Sequence, residues 1–234
     1  MMRTSWTTST FFAAAGVALA AVVTGAGAQE PNFGRAVALT ETELLIGQPV
    51  NWYGPGVVYV YRLGASGEWL EQSRLLASDS ARKDDFGRTL ALDGNTLIVG
   101  APRKRDGSGV AYVFERESAE ADWREVANIE PPGAGDHAEY ASALALAGDD
   151  LLVGAPSVDS MGVVYHFRRS DGAPGEWAHH GVIRPPADAR LAGFGATMSQ
   201  DGDWLLVGAP AADSGIGRVF VAQRADGEWG EPSA

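Results

Sequence analysis

Phe86-Gly87-Arg88-Thr89-Leu90-Ala91-Leu92-Asp93-Gly94-Asn95-Thr96-Leu97-Ile98-Val99-Gly100-Ala101-Pro102 holds two short apolar runs around a tight polar turn. Asp, Gly and Asn tolerate the positive φ that a tight hairpin requires, so this stretch reads as strand, turn, strand. The second run, Leu97-Ile98-Val99, is apolar at consecutive positions. A strand of that kind is buried on both faces.

The pattern recurs. Phe33-Gly34, Phe86-Gly87, Tyr140-Ala141 and Phe194-Gly195 begin four units spaced 53, 54 and 54 residues apart. Fourteen residues after each start stands Gly47-Gln48-Pro49, Gly100-Ala101-Pro102, Gly154-Ala155-Pro156 or Gly208-Ala209-Pro210. Tyr59, Tyr112, Tyr165 and Phe220 fall in a third run, and Trp69, Trp123, Trp177 and Trp229 open a fourth. Each unit therefore predicts four strands, with Pro-Pro pairs at 131–132 and 185–186 ending the fourth. A unit whose inner strands are apolar on both faces cannot bury them alone, and radial stacking of such sheets gives a propeller. The expected fold is all-β, with one four-stranded blade per repeat and the aromatic columns as blade core.

At Phe86-Gly87, Leu97 to Pro102 and Gly109-Val110-Ala111-Tyr112-Val113-Phe114 the chain resembles the FG-GAP repeat family, which includes the integrin α propeller. The tryptophan column and the polar, acidic stretch from Trp69 to Asp85 look most like its secreted bacterial members. The resemblance runs from Phe33 to Trp229 and implies about seven blades in a closed ring. It speaks for fold far more than for activity. Two departures stand out. Tyr140-Ala141 places a Cβ where the family has glycine. The first hairpin turns hold Thr40-Glu41-Thr42-Glu43, Asp93-Gly94-Asn95, Ala147-Gly148-Asp149-Asp150 and Asp201-Gly202-Asp203 where calcium-binding members carry a longer acidic loop. Calcium takes six to eight oxygens, so these acids are expected to form turns, with neither metal nor cofactor.

Residues 1–28 read as a secretory signal: Arg3, an apolar run from Phe11 to Val23, and small residues up to Ala28. The run is too short to span a bilayer, so no membrane insertion is expected after cleavage. The mature segment, 29–234, is then a secreted, periplasmic or cell-surface propeller. No cysteine is present, so stability is expected from packing alone. A net charge of −12 argues against nucleic-acid binding. The fourth unit ends soon after Trp229 and is expected to be incomplete, which leaves an open ring that belongs to a longer propeller or closes by oligomerisation.

No catalytic constellation emerges. The histidines at 137, 166, 179 and 180 show no metal spacing, and neighbouring His179 and His180 on a strand point to opposite faces. No helix is evident. In up-and-down blades, the loops between second and third strands emerge on the same face as the inter-blade connections, and that face is the expected site. Its candidates are the aromatic pair Trp52-Tyr53, the basic cluster Arg103-Lys104-Arg105, and the loop acids Asp106, Asp159 and Asp213. The leading expectation is a non-enzymatic binding or adhesion module for an extracellular protein or glycan. The alternatives are a carbohydrate-active enzyme and a structural part of a larger propeller.

Overall fold

The computed structural model describes residues 31–51, 54–133, 137–170, 174–187 and 193–234. The proposed signal and the Trp52-Tyr53 pair lie outside them. Each repeat folds as expected into a four-stranded antiparallel sheet with strands in sequential order. Blade 1 is β1 (Ala36–Leu39), β2 (Glu43–Gln48), β3 (Val57–Leu63) and β4 (Trp69–Leu75). Blade 2 is β5 (Thr89–Asp93), β6 (Thr96–Ala101), β7 (Val110–Glu115) and β8 (Arg124–Ile129). Blade 3 is β9 (Ala143–Ala147), β10 (Asp150–Ala155), β11 (Val163–Arg169) and β12 (Trp177–Ile183). Blade 4 is β13 (Thr197–Asp201), β14 (Trp204–Ala209), β15 (Arg218–Ala225) and the two-residue β16 (Glu228–Trp229). The outer strand of blade 4 is short, and a single bridge from Ser233 to Val221 prolongs it.

Blades stack face to face in chain order. Leu45, Val58 and Val60 of blade 1 share a core with Phe86, Val99 and Tyr112 of blade 2. Ile98 and Val113 of blade 2 meet Tyr140, Val153 and Phe167 of blade 3. Leu152 and Val164 of blade 3 meet Phe194, Val207 and Phe220 of blade 4. The second strand is thus buried on both sides because alternate side chains enter different inter-blade cores. The aromatic columns are core, as expected. In all four blades the first aromatic packs edge-on against the third-strand one, as in Phe86–Tyr112 at 5.5 Å and Phe194–Phe220 at 5.5 Å.

The glycine columns have a steric cause. A Cβ on Gly47 would lie 2.0 Å from the Gly87 carbonyl oxygen, and one on Gly154 would lie 2.0 Å from that of Gly195. On Gly100 it would lie 2.5 Å from the Ala141 oxygen of the next blade. Backbone meets backbone across each junction, which no other residue permits. The third repeat departs here twice. Ala141 holds φ 66° where its siblings have glycine. Tyr140 buries its hydroxyl with no hydrogen-bond partner among the described residues, where siblings have phenylalanine.

The expectation of no helix needs correction. Single helical turns, α1 (Lys104–Gly107) and α2 (Ala212–Gly215), and a 3-10 turn at Val158–Ser160 sit in the loops after the second strands. Each contains left-handed residues, such as Arg105 and Asp106 or Asp213 and Ser214, so none extends.

Replacing Gly100 or Gly154 with valine is expected to cost more than about 3 kcal/mol, because the junction cannot open without losing core contacts. Arg103→Ala is expected to stay within about 0.5 kcal/mol, and Tyr140→Phe to gain about 1 kcal/mol by removing the orphan hydroxyl. Denaturant unfolding of the three variants checks the order.

Candidate functional site

Connections between blades run beside the loops that follow the second strands, and backbone hydrogen bonds pin them together. Glu139 donates its N–H to the Gly107 carbonyl at 2.8 Å, and Arg103 donates to that of Asp84 at 3.2 Å. Between blades 2 and 3 this leaves a groove of about 590 Å³ on the expected face. Arg103, Asp106 and Gly107 line it from the α1 loop, and Lys83, His137 and Glu139 from the connections before blades 2 and 3. Ser157 also lines it and donates its hydroxyl to the Glu139 carboxylate at 2.9 Å. Lys83, His137 and Glu139 all hold left-handed backbone. All three are exposed.

Arg103 is exposed and lies 3.5 Å from the carboxylate of buried Asp85. Burial pushes the Asp85 carboxyl up, against the pull of Arg103, Arg88 and Arg35. Asp85 thus anchors Arg103 from beneath while the guanidinium faces solvent.

Of the residues singled out from sequence, Arg103 and Asp106 line the groove. Lys104 does not. The expectation that Lys104 belongs to a ligand-binding basic cluster on the loop face is corrected here: Lys104 is buried, and its ammonium donates to the Asp79 carbonyl at 2.5 Å and the Asp84 carboxylate at 2.8 Å. The Tyr112 hydroxyl donates to Asp79 at 2.6 Å, so lysine and tyrosine together tie the loop to the preceding connection. Burial raises the Asp79 carboxyl, but the hydrogen bonds from Tyr112 and Lys104 outweigh it and hold the group below its usual range. Arg105 pairs with Glu130. Asp159 sits 3.7 Å from Arg184, and Asp213 pairs with Arg218, in blades 3 and 4 respectively. These two acids stand in the repeat position of Arg105, not of Asp106, and do not join the groove.

Sequence reasoning places the loops and inter-blade connections on this face without singling out Lys83, His137, Glu139 and Ser157. The connection residues precede the Phe-Gly start by a few positions, and their left-handed backbone is not written in their side chains. It also missed a polar cluster at the rim of blades 3 and 4. His166 Nε2 lies 2.6 Å from Asp150, His180 Nε2 lies 2.7 Å from Glu228, and the two rings meet at 4.9 Å. Among the described residues no group of three or more His, Asp or Glu side chains is arranged to hold a metal ion. The turn acids make turns or cross-blade contacts, as when Asp93 accepts the Gly148 N–H at 2.6 Å.

Residues 69–114 match the FG-GAP repeat model. That window runs from the last strand of blade 1 through the third strand of blade 2. No curated protein matches the chain. Among solved structures, the exo-β-1,3-galactanase of Phanerochaete chrysosporium, determined with β-1,3-galactotriose, is similar at a TM-score of 0.52 and 12% identity. The likeness covers 90% of this chain and 51% of the galactanase chain, so this chain spans about half of that protein. At that identity the likeness concerns the fold.

Burial lowers the pKa of His166 more than Asp150 raises it. His180 and Arg168 add to the depression, and Arg224 holds the far oxygen of Asp150. Below about pH 6.5 the unfolded chain therefore takes up a proton that the folded chain refuses, and stability falls as pH drops through that window. The melting temperature is expected to fall from about pH 7.5 to about pH 5.5 in the native chain, and to fall less in His166→Gln.

Proposed function

We propose that this propeller is a binding module that works outside the cytoplasm and takes a glycan in the groove between blades 2 and 3. The observation that carries the reading is the groove itself, built where three backbone segments converge and lined by Lys83, Arg103 and His137 with Asp106 and Glu139. Groups of both signs in one open cleft suit a ligand rich in hydroxyls, with the cations available to a carboxylate or sulfate substituent. An otherwise acidic chain repels anions, so the cations mark where such a ligand can approach. The signal-like segment at residues 1–28 supports an extracellular, periplasmic or surface location. Adhesion through a glycosylated partner fits the same face.

A second reading is favoured by one observation. The galactanase of similar fold acts on a glycan, and the groove here contains two carboxylates, Asp106 and Glu139. A hydrolase would use one as acid and the other as base or nucleophile.

A glycan array that includes acidic oligosaccharides and β-1,3-galacto-oligosaccharides, followed by titration of the hits and a reducing-end assay, separates the two. Arg103→Ala and His137→Ala are each expected to weaken binding about tenfold or more, with no new reducing ends formed. Turnover abolished by Glu139→Gln would put the hydrolase first.

A further inference from the structure

The three blade junctions are built alike, and the two ends of the stack each keep one half of such a junction. Three features recur. The second-strand glycine of one blade and the glycine just before its third strand receive the Phe-Gly turn of the next, as Gly47 and Gly56 receive Phe86-Gly87. The apolar residues two positions before the second-strand glycine are fully buried: Leu45, Ile98 and Leu152. An arginine of the next blade then lies over its own tryptophan and reaches back to a polar residue. Arg116 stacks 4.2 Å from Trp123 and donates to Glu43 at 2.7 Å. Arg169 stacks on Trp177 and donates to Thr96, and Arg224 stacks on Trp229 and donates to Asp150.

The rear of blade 4 has the receiving half. Gly208 and Gly217 stand in the glycine columns, yet the atoms nearest to each belong to its own blade. Leu206, in the column of Leu45, Ile98 and Leu152, is 45% exposed, and Val219 is 56% exposed where its counterparts Val58, Ala111 and Val164 are fully buried. The front of blade 1 has the inserting half. Phe33 is 42% exposed against 0–1% for Phe86, Tyr140 and Phe194, and among the described residues no atom of another segment lies within 4 Å of where a Gly34 Cβ would be.

The polar tie is replaced at both ends together. Trp204 takes the place of Glu43, Thr96 and Asp150, and Leu63 takes the place of Arg116, Arg169 and Arg224. Both are exposed. An acid left alone at one end or an arginine left alone at the other would be costly to bury, whereas tryptophan against leucine is an apolar match.

We propose that the rear of blade 4 docks on the front of blade 1 of a second copy of this chain, in the register of the internal junctions, so that copies associate head to tail. Phe33-Gly34 of one copy enters beside Gly208 and Gly217 of the other, and Leu63 meets Trp204. The contact is heterologous, so each copy still offers a free half until a ring closes. It does not depend on the loop-face groove, which lies between blades 2 and 3.

Sedimentation of the purified full chain over a concentration series tests this. The native chain is expected to show at least a doubled mass that grows with concentration, and Leu206→Glu and Trp204→Glu are each expected to return it to the monomer while circular dichroism stays native. Adding Leu63→Arg to Trp204→Glu rebuilds the acid-arginine tie and is expected to restore association. A native chain that sediments as a monomer throughout, as it would if further blades of a longer polypeptide covered these ends, overturns the proposal. So does a doubly substituted chain that stays monomeric while retaining its fold.

Discussion

Backbone contact between consecutive blades is the constraint on which the rest of the molecule depends. The glycine that ends each second strand lets the carbonyl of the next Phe-Gly turn approach to a distance that a Cβ would fill. That approach brings the sheets close enough for Val, Leu and aromatic side chains to interdigitate at interior density. It also fixes where the inter-blade connection crosses the face of the stack. The groove between blades 2 and 3 exists because those connections and the α1 loop are pinned side by side by the same backbone hydrogen bonds.

Polar ties at the rim give the stack its register. Each internal junction pairs a stacked arginine with a buried or half-buried oxygen from the preceding blade. At the first junction, Glu43 also accepts the Trp123 indole N–H at 3.2 Å, so one carboxylate satisfies two donors from the neighbouring sheet. Such groups are costly if misaligned, and a slipped junction would strand them. Hydrophobic burial supplies the attraction and the ties select the alignment.

Much of this was legible in the sequence, because a repeat exposes its own rules. Invariant offsets between Phe-Gly and Gly-x-Pro located every blade and both inner strands. Tyr140 and Ala141 stood out as departures, and the structure shows each carrying a local cost. Lys104 was misjudged because a run of three basic residues looks uniform in sequence. The left-handed pair at Arg105 and Asp106 folds the loop back and sends the lysine inward. The ion pairs of Asp150 join residues far apart in the chain, which no local pattern reveals. The arginine column at 116, 169 and 224 was available to self-comparison all the same, as was its replacement by leucine at position 63.

Blade 1 packs against blade 2 in the register set by Glu43 and Arg116, and a double-mutant cycle between Glu43→Gln and Arg116→Leu measures that packing directly. The two side chains are buried, lie 2.7 Å apart and come from different blades. A coupling energy above about 1 kcal/mol in equilibrium unfolding is the predicted result. Additivity within about 0.3–0.5 kcal/mol would mean that the two residues do not meet, and would contradict the stacking of the blades as described.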